Sequence, residues 1–243
     1  MRPPLETGSR SDPRSNLWDK LIRLRREGRL RLALEGEVGN WLSALGERLG
    51  WQNLVFNRFT FSMYHRGALD TAPSAVTCLL SLYPALRIVV DLGCGTGVYL
   101  HEFEVRGVET IGYEHSARAR RQAERLYGLK VRPFDVQEFK GVGRLADACL
   151  CIEVAHYLPP SLANLLVQHC ARSAPLVIFS AAQPGQGGYG HVNAQPREYW
   201  IERFAALGYR LNVSTSSRLQ DHLRTHLKRG FWLAANVCLF ERI

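Results

Sequence analysis

The sequence predicts an α/β chain: a largely parallel sheet with helices on both faces, preceded by a helical N-terminal extension. From Arg87 onward, short apolar runs alternate with stretches of helical periodicity, which implies crossover connections and parallel pairing. The runs are apolar at successive residues, as strands buried on both faces are. A length of 243 residues holds one such domain plus an extension.

Residues 1–16 contain three prolines and little to bury, and are expected to form a disordered tail. Leu17, Leu21 and Leu24 recur at helical spacing beside the basic stretch Arg23 to Arg31. A second helix is expected to bury Val38, Trp41, Leu42, Leu45 and Leu49 on one face and to stop at Gly50. The aromatic segment Phe56 to Met63 then leads into Tyr64-His65-Arg66-Gly67. A further helix carries Ala75, Val76, Leu79, Leu80 and Tyr83 on one side and ends at Pro84. Residues 17–70 thus read as a basic helical extension or lid, and 71–243 as the sheet domain. Its strands are RIVVDL, ETIGYE, KVRPF, DACLCI, PLVIFSA, YRLNVST and WLAANVCLFE. Pro196 to Gly208 reads as a helix with Trp200, Phe204 and Leu207 inward, and another is expected around Leu219 to Leu227.

Hydrophobic residues at 46% and charged residues at 22% exclude wholesale disorder and a disulfide-stapled miniprotein. No window approaches about 18 consecutive apolar residues, so no membrane span is expected, and the arginine-bearing start lacks a secretory apolar region. The net charge is +9, and 27 of the 31 basic residues are arginines, since only 20, 130, 140 and 228 are lysines. Such a balance suits RNA, an anionic membrane surface or a phosphorylated substrate without choosing among them. Six cysteines without a C-x-x-C pair, most inside apolar runs, fit a reducing compartment, and the expected location is cytoplasmic.

In an open parallel sheet, ligands bind beyond the carboxyl ends of the strands. After the first strand stands Asp91-Leu92-Gly93-Cys94-Gly95-Thr96-Gly97, whose alternate glycines allow a tight turn and a close ligand. The helix that follows directs free N–H groups at an anion. A nicotinamide fingerprint, G-x-G-x-x-G, fails in both registers, because Val98 and Leu100 stand where glycine or alanine is required. The heptad instead resembles the D/E-x-G-x-G-x-G motif of class I S-adenosylmethionine (SAM)-dependent methyltransferases. That resemblance implies a Rossmann-like, seven-stranded sheet with the last strand antiparallel, and S-adenosylmethionine as cofactor. It implies that Asp91, Gly93, Gly95 and Gly97 form the cofactor turn. Glu114, ending the second strand, can accept from both ribose hydroxyls; the alternative is a solvated strand-end glutamate. Asp135 is matched to the acceptor for the adenine amino group, with apolar neighbours flanking the ring; the alternative is a turn-forming aspartate. The CIEVAHYL segment, with Glu153, resembles the stretch lining the methionine end.

The segment FSAAQPGQGGYGHVNAQPREYW resembles a narrower bacterial group with F-S-A-A-x-P-G-Q-G-G followed by H-x-N and Y-W. The stretch His65-Arg66-Gly67-Ala68-Leu69 matches the same group. One departure stands out, since that group often reads E-V-A-E-H where this chain has Glu153-Val154-Ala155-His156-Tyr157. An alcohol acceptor gains from a base near neutral pH, and His191 and His156 are the catalytic candidates. His191 lies in a glycine-rich loop from Gln183 to Asn193; its alternatives are structural hydrogen bonding within the loop and contact with the cofactor's carboxylate, and the alternative for His156 is loop packing. Asn193 is a candidate to orient the acceptor, and His65 and Arg66 to cover the methionine end. His222 and His226, at i and i+4, lack a third ligand, so no metal is expected. Cys149 and Cys151 share a strand face and read as core. The expected activity is methyl transfer to a small-molecule or saccharide acceptor, at a hydroxyl oxygen. The alternatives are a nucleic-acid (RNA) methyltransferase, which lacks support from an N-P-P-[FYW]-like motif, and a non-catalytic cofactor-binding scaffold. The oligomeric state is not legible.

Overall fold

The structure, a computed structural model, describes residues 22, 25, 26, 30–142, 145–227 and 231–243. The tail at 1–16 and the Leu17, Leu21 and Leu24 face lie outside them. The chain divides into two compact units, Met1–Thr60 and Phe61–Ile243.

In the first unit, helix α1 (Leu30–Leu49) packs against the short helix α2 (Gln52–Val55). The inward face differs from the expected one. Val38, Trp41 and Leu49 are 46%, 65% and 47% exposed, whereas Gly39, Ser43 and Gly46 are buried. The reason is close backbone approach: a Cβ on Gly46 would lie 2.7 Å from the Val55 nitrogen, and one on Gly39 2.7 Å from the Phe59 Cβ. Ser43 Oγ donates to the Val55 carbonyl at 2.9 Å, and Asn57 Oδ1 accepts from the N–H groups of Phe59 and Thr60. Helix α3 (Arg58–Leu82) carries the chain from the first unit to the second. It is one 25-residue helix that accommodates Pro73, longer than the segment from Ala75 that periodicity marks out.

In the second unit the elements follow as β1 (Ile88–Leu92), α4 (Val98–Glu104), β2 (Glu109–Glu114), α5 (Ala117–Tyr127), β3 (Arg132–Pro133) and β4 (Ala148–Ile152). After β4 come two 3-10 turns (Ala155–Tyr157 and Pro160–Leu162), α6 (Ala163–Ser173), β5 (Leu176–Ser180) and α7 (Arg197–Ala205). The chain closes with β6 (Tyr209–Leu211), α8 (Val213–His226), α9 (Phe231–Asn236) and β7 (Cys238–Arg242). The seven strands run in the order β3-β2-β1-β4-β5-β7-β6. β7 is antiparallel to both its neighbours, and the rest of the ladder is parallel.

Strand periodicity splits the core into two layers. Val90, Leu92, Cys149, Cys151, Val177, Phe179 and Phe240 face one cluster, shared with α6 and α7. Val89, Leu150, Ile178 and Leu239 face the other, shared with α3, α4, α8 and α9. Both faces of the sheet are therefore covered, and the apolar runs of β1, β4 and β5 follow from that burial.

Three predicted strands are much shorter than expected. In KVRPF only Arg132–Pro133 pairs, with Tyr113 and Glu114 of β2. In YRLNVST only Tyr209–Leu211 pairs; Asn212 caps α8, its side chain accepting from the Thr215 N–H at 3.1 Å. In WLAANVCLFE the first five residues are helical, and exposure at Trp232 and Ala235 shows the three-residue spacing of a helix.

β1 lies between β2 and β4, so the chain leaves it in one direction for β2 and returns on the other side at β4. The order reverses there, and the segments after β1 and β4 flank the crevice where ligands of such sheets bind.

Candidate active site

Three glycines after β1 adopt left-handed φ, +93° at Gly93, +56° at Gly95 and +79° at Gly97, but for different spatial reasons. A Cβ on Gly93 would collide with the Val154 side chain, so the turns after β1 and β4 touch there. One on Gly97 would lie 2.5 Å from Leu129 Cδ1 and 3.2 Å from Ala123 Cβ, so this glycine lets α4 pack beneath α5. At Gly95 a Cβ would meet nothing within 4 Å: the bare backbone borders open space. The turn is held by the N–H groups of Gly93 and Cys94, both donating to the Tyr113 carbonyl.

Glu114, at the end of β2, is buried at 9% exposure and faces this turn. Its Oε2 accepts from the Gly95 N–H at 2.9 Å and its Oε1 from the Ser116 N–H at 2.6 Å. A carboxylate has about four lone-pair directions, so one on each oxygen remains for a further donor. Burial raises the Glu114 carboxyl, and the two backbone donors pull it back. Asp91, 3% exposed, is raised well above the ordinary carboxylate range by burial and then by the Glu114 charge.

Thr96, in the same turn, shares a 2.8 Å hydrogen bond with His65 Nδ1 from α3. His65 thereby reaches the glycine turn itself, and burial lowers its basicity. Arg66 Nη1 instead donates to Ser62 Oγ one helical turn away.

Beyond β4, Glu153 is the one non-glycine with left-handed φ, +56°, among the described residues. Its N–H donates to the Ser180 carbonyl and Oγ, and its Oε1 accepts from Asn236 Nδ2 at 3.3 Å. Strain of this kind is held only where surrounding contacts over-determine the backbone. Asp135, after β3, is exposed, and its Oδ1 accepts from the Gln137 N–H at 2.8 Å, the bond of a turn-forming aspartate. Its neighbours Phe134 and Val136 are buried in the core cluster.

The two candidate histidines come together, with ring centroids 4.2 Å apart. His156 is 1% exposed and its Nδ1 accepts from the Ala182 N–H at 3.0 Å, which places the neutral ring's proton on Nε2. Burial, then His191, lowers its pKa to about 3. Its carbonyl accepts from the N–H groups of Val192 and Asn193, so the segment after β4 anchors the loop carrying His191. A Cβ on Gly188 would run into the His191 ring, which explains a glycine there. Tyr64 and Tyr157 hydroxyls join at 2.8 Å beside this pair. Asn193 is 2% exposed and accepts from Gln195 Nε2.

Sequence reasoning missed Ser180, Asn236 and the Tyr64–Tyr157 pair. A strand pattern over WLAAN hides Asn236, whereas a small polar residue at the end of β5 is a sequence signal for Ser180. Cys149 and Cys151 are fully buried, as core residues are. His222 and His226 stack on each other, and among the described residues no three His, Cys, Asp or Glu side chains cluster as a metal site.

A family profile described as "Methyltransferase domain" matches residues 64–184. That match spans just under half of the chain, and the strand order is the Rossmann-like fold of class I, S-adenosylmethionine-dependent methyltransferases. The methyltransferase fold recurs in the sugar N-methyltransferase KedS8 of Streptoalloteichus sp. ATCC 53650, with 18% identity over 75% of this chain and 92% of that one, TM-score 0.57. SAM-bound CalS10, an amino pentose methyltransferase from Micromonospora echinaspora, aligns at 17% identity over 76% and 97%, TM-score 0.56. Magnesium protoporphyrin IX methyltransferase of Synechocystis PCC 6803, with S-adenosylhomocysteine bound, aligns at 17% over 77% and 96%, TM-score 0.56. No curated protein matches the sequence. The cofactor of the methyltransferase is S-adenosylmethionine, and the donor set fits it: open backbone at Gly95 and a buried carboxylate with one free lone-pair direction per oxygen. No helix among the described residues is long and apolar enough to cross a membrane.

Proposed function

We propose that the chain transfers a methyl group to a hydroxyl oxygen of a small-molecule or saccharide acceptor, in the cytoplasm. In this reading Asp91, Gly93, Gly95 and Gly97 shape the cofactor turn, Glu114 holds the ribose, Glu153 borders the methionine end and Asp135 offers its remaining carboxylate oxygen to the adenine amino group. The observation that carries it is Glu114: a buried carboxylate pinned by the N–H groups of Gly95 and Ser116 beside open backbone. When bound, the sulfonium supplies an already activated methyl, so the protein's main task is alignment and exclusion of water.

His191 is the proposed base that takes the acceptor's hydroxyl proton. His156 has its Nδ1 lone pair committed to Ala182 and is held neutral, which leaves it to position the loop. Its edge against the His191 ring orients that ring, and Asn193 fixes the next turn of the same loop. A saccharide acceptor is supported by the descriptions of KedS8 and CalS10, which act on a sugar and an amino pentose. KedS8 is an N-methyltransferase, so nitrogen is the competing acceptor atom.

The test incubates the protein with methyl-labelled SAM and three acceptor panels: hydroxylated small molecules, amino sugars and bulk RNA. Label on an oxygen of a small molecule or saccharide supports the reading. Label on nitrogen corrects the acceptor atom, label on RNA overturns the acceptor class, and SAM binding without transfer to any panel favours the scaffold.

A further inference from the structure

Between β5, β7 and the start of α7 lies a crevice that the reading above does not use. Phe179 and Phe240 line it with apolar surface and Arg197 and Trp200 with hydrogen-bond donors, while Asn236, also in the lining, gives its amide protons to Glu153 and Gln186. Trp200 is 97% buried, at 3% exposure, yet its indole Nε1–H has no hydrogen-bond partner, and the Arg197 Nε–H is likewise buried and unmet. Buried donors are almost always satisfied in folded proteins, so two of them on one crevice mark a place for an acceptor atom. Arg197 and Trp200 are three residues apart on α7 and share a helix face. Arg197 Nη2 donates to the Ala235 carbonyl at 2.6 Å, which fixes the guanidinium. No carboxylate among the described residues pairs with it.

We propose that this crevice is an acceptor subsite: it takes one oxygen of a carboxylate carried by the methyl-accepting molecule, held by Arg197 Nε–H and Trp200 Nε1–H. A guanidinium with an unspent donor selects an anion over a neutral group. The space holds a single water-sized group, which is room for one carboxylate oxygen. The crevice is tied to the cofactor side, because Asn236, one of its lining residues, also bonds Glu153 after β4. The inference rests on the methyl-transfer reading and narrows its acceptor to an acid, such as an acidic sugar.

The test follows the Trp200 Nε1–H resonance in 15N-labelled protein during separate titrations with acetate, acetamide and inorganic phosphate at constant ionic strength. The resonance is assigned by its loss in Trp200→Phe, or by sequential assignment where that variant does not fold. Acetate is expected to move it downfield to saturation, acetamide to leave it in place, and Arg197→Gln to weaken the acetate response about tenfold or more. The proposal is overturned by no saturable shift (a crevice that holds only water), an equal response to acetamide, a response to phosphate in place of acetate, or undiminished affinity in Arg197→Gln. Calorimetry with S-adenosylhomocysteine runs in parallel. Its failure in the wild type would refute the cofactor site while leaving the acetate result readable, and unchanged binding in Arg197→Gln shows that variant to be intact.

Discussion

Gly95→Ala and Gly97→Ala look alike in sequence and should behave differently. Both place a side chain on left-handed backbone, φ +56° and +79°, at a cost of about 1–2 kcal/mol each. At Gly97 the new Cβ also lands 2.5 Å from Leu129 Cδ1 and 3.2 Å from Ala123 Cβ. Leu129 is 6% exposed and Ala123 is fully buried, so neither has free space to move into. Overpacking of this kind adds about 1–3 kcal/mol. The expected loss for Gly97→Ala is therefore about 2–5 kcal/mol, and a melting temperature falls about 2–4 °C per kcal/mol in a chain of this size. Gly95→Ala should lose only the backbone share, because its Cβ meets nothing within 4 Å. Its deficit should appear in cofactor affinity, since the methyl intrudes on the space where the donor lies. Urea or thermal unfolding of both variants, with calorimetric titration of S-adenosylhomocysteine, separates the effects. Equal destabilisation of the two, or full affinity in Gly95→Ala, refutes the division of labour among these glycines.

Three further outcomes are expected. His191→Gln should lower kcat by about 10²–10⁴ while leaving S-adenosylhomocysteine affinity unchanged, read by label transfer and calorimetry; an unchanged kcat removes His191 as the base. Asp91 has a folded-state pKa above its unfolded value, so the folded state binds the extra proton and stability falls as pH rises from the ordinary carboxylate value through the raised one. Asp91→Asn should flatten that slope in urea unfolding across the same window, and a slope identical to wild type contradicts the assignment. Tyr209→Phe removes a hydroxyl whose single proton is shared between the Ala171 and Ala174 carbonyls, both at 2.6 Å, and which accepts from Arg242. It should cost about 1–3 kcal/mol of stability with no change in cofactor affinity.

The parallel half of the sheet is legible in the sequence because burial on both faces writes itself as unbroken apolar runs, as in Ile88–Leu92 and Leu176–Ser180. The glycine turn is legible for a different reason: its left-handed backbone at positions 93, 95 and 97 is one that residues with a Cβ resist, so it writes itself as three alternate glycines. The final third is harder to read. Asn212 sits between a strand and a helix, and its capping bond to Thr215 decides which, although Val213 and Thr215 favour a strand locally. WLAAN is short and apolar, and such runs do not distinguish strand from helix by pattern. In the first unit, periodicity marks the large apolar residues while the contact is made by Gly39, Ser43 and Gly46. The Glu114 carboxylate can be placed at a strand end from sequence, but its bonds to Gly95 and Ser116 come from the register that sets β2 beside β1. The unmet donors of Arg197 and Trp200 carry no sequence signal, since Trp200 at helical spacing reads as core, which it also is.

The whole interpretation turns on whether the peptide backbone at position 95 faces the donor molecule. Isothermal titration of S-adenosylhomocysteine into wild type and Gly95→Arg, each shown folded by circular dichroism, decides it. Saturable one-site binding by the wild type and none by the variant is the predicted result. Absence of binding by the wild type, or equal binding by both, contradicts it.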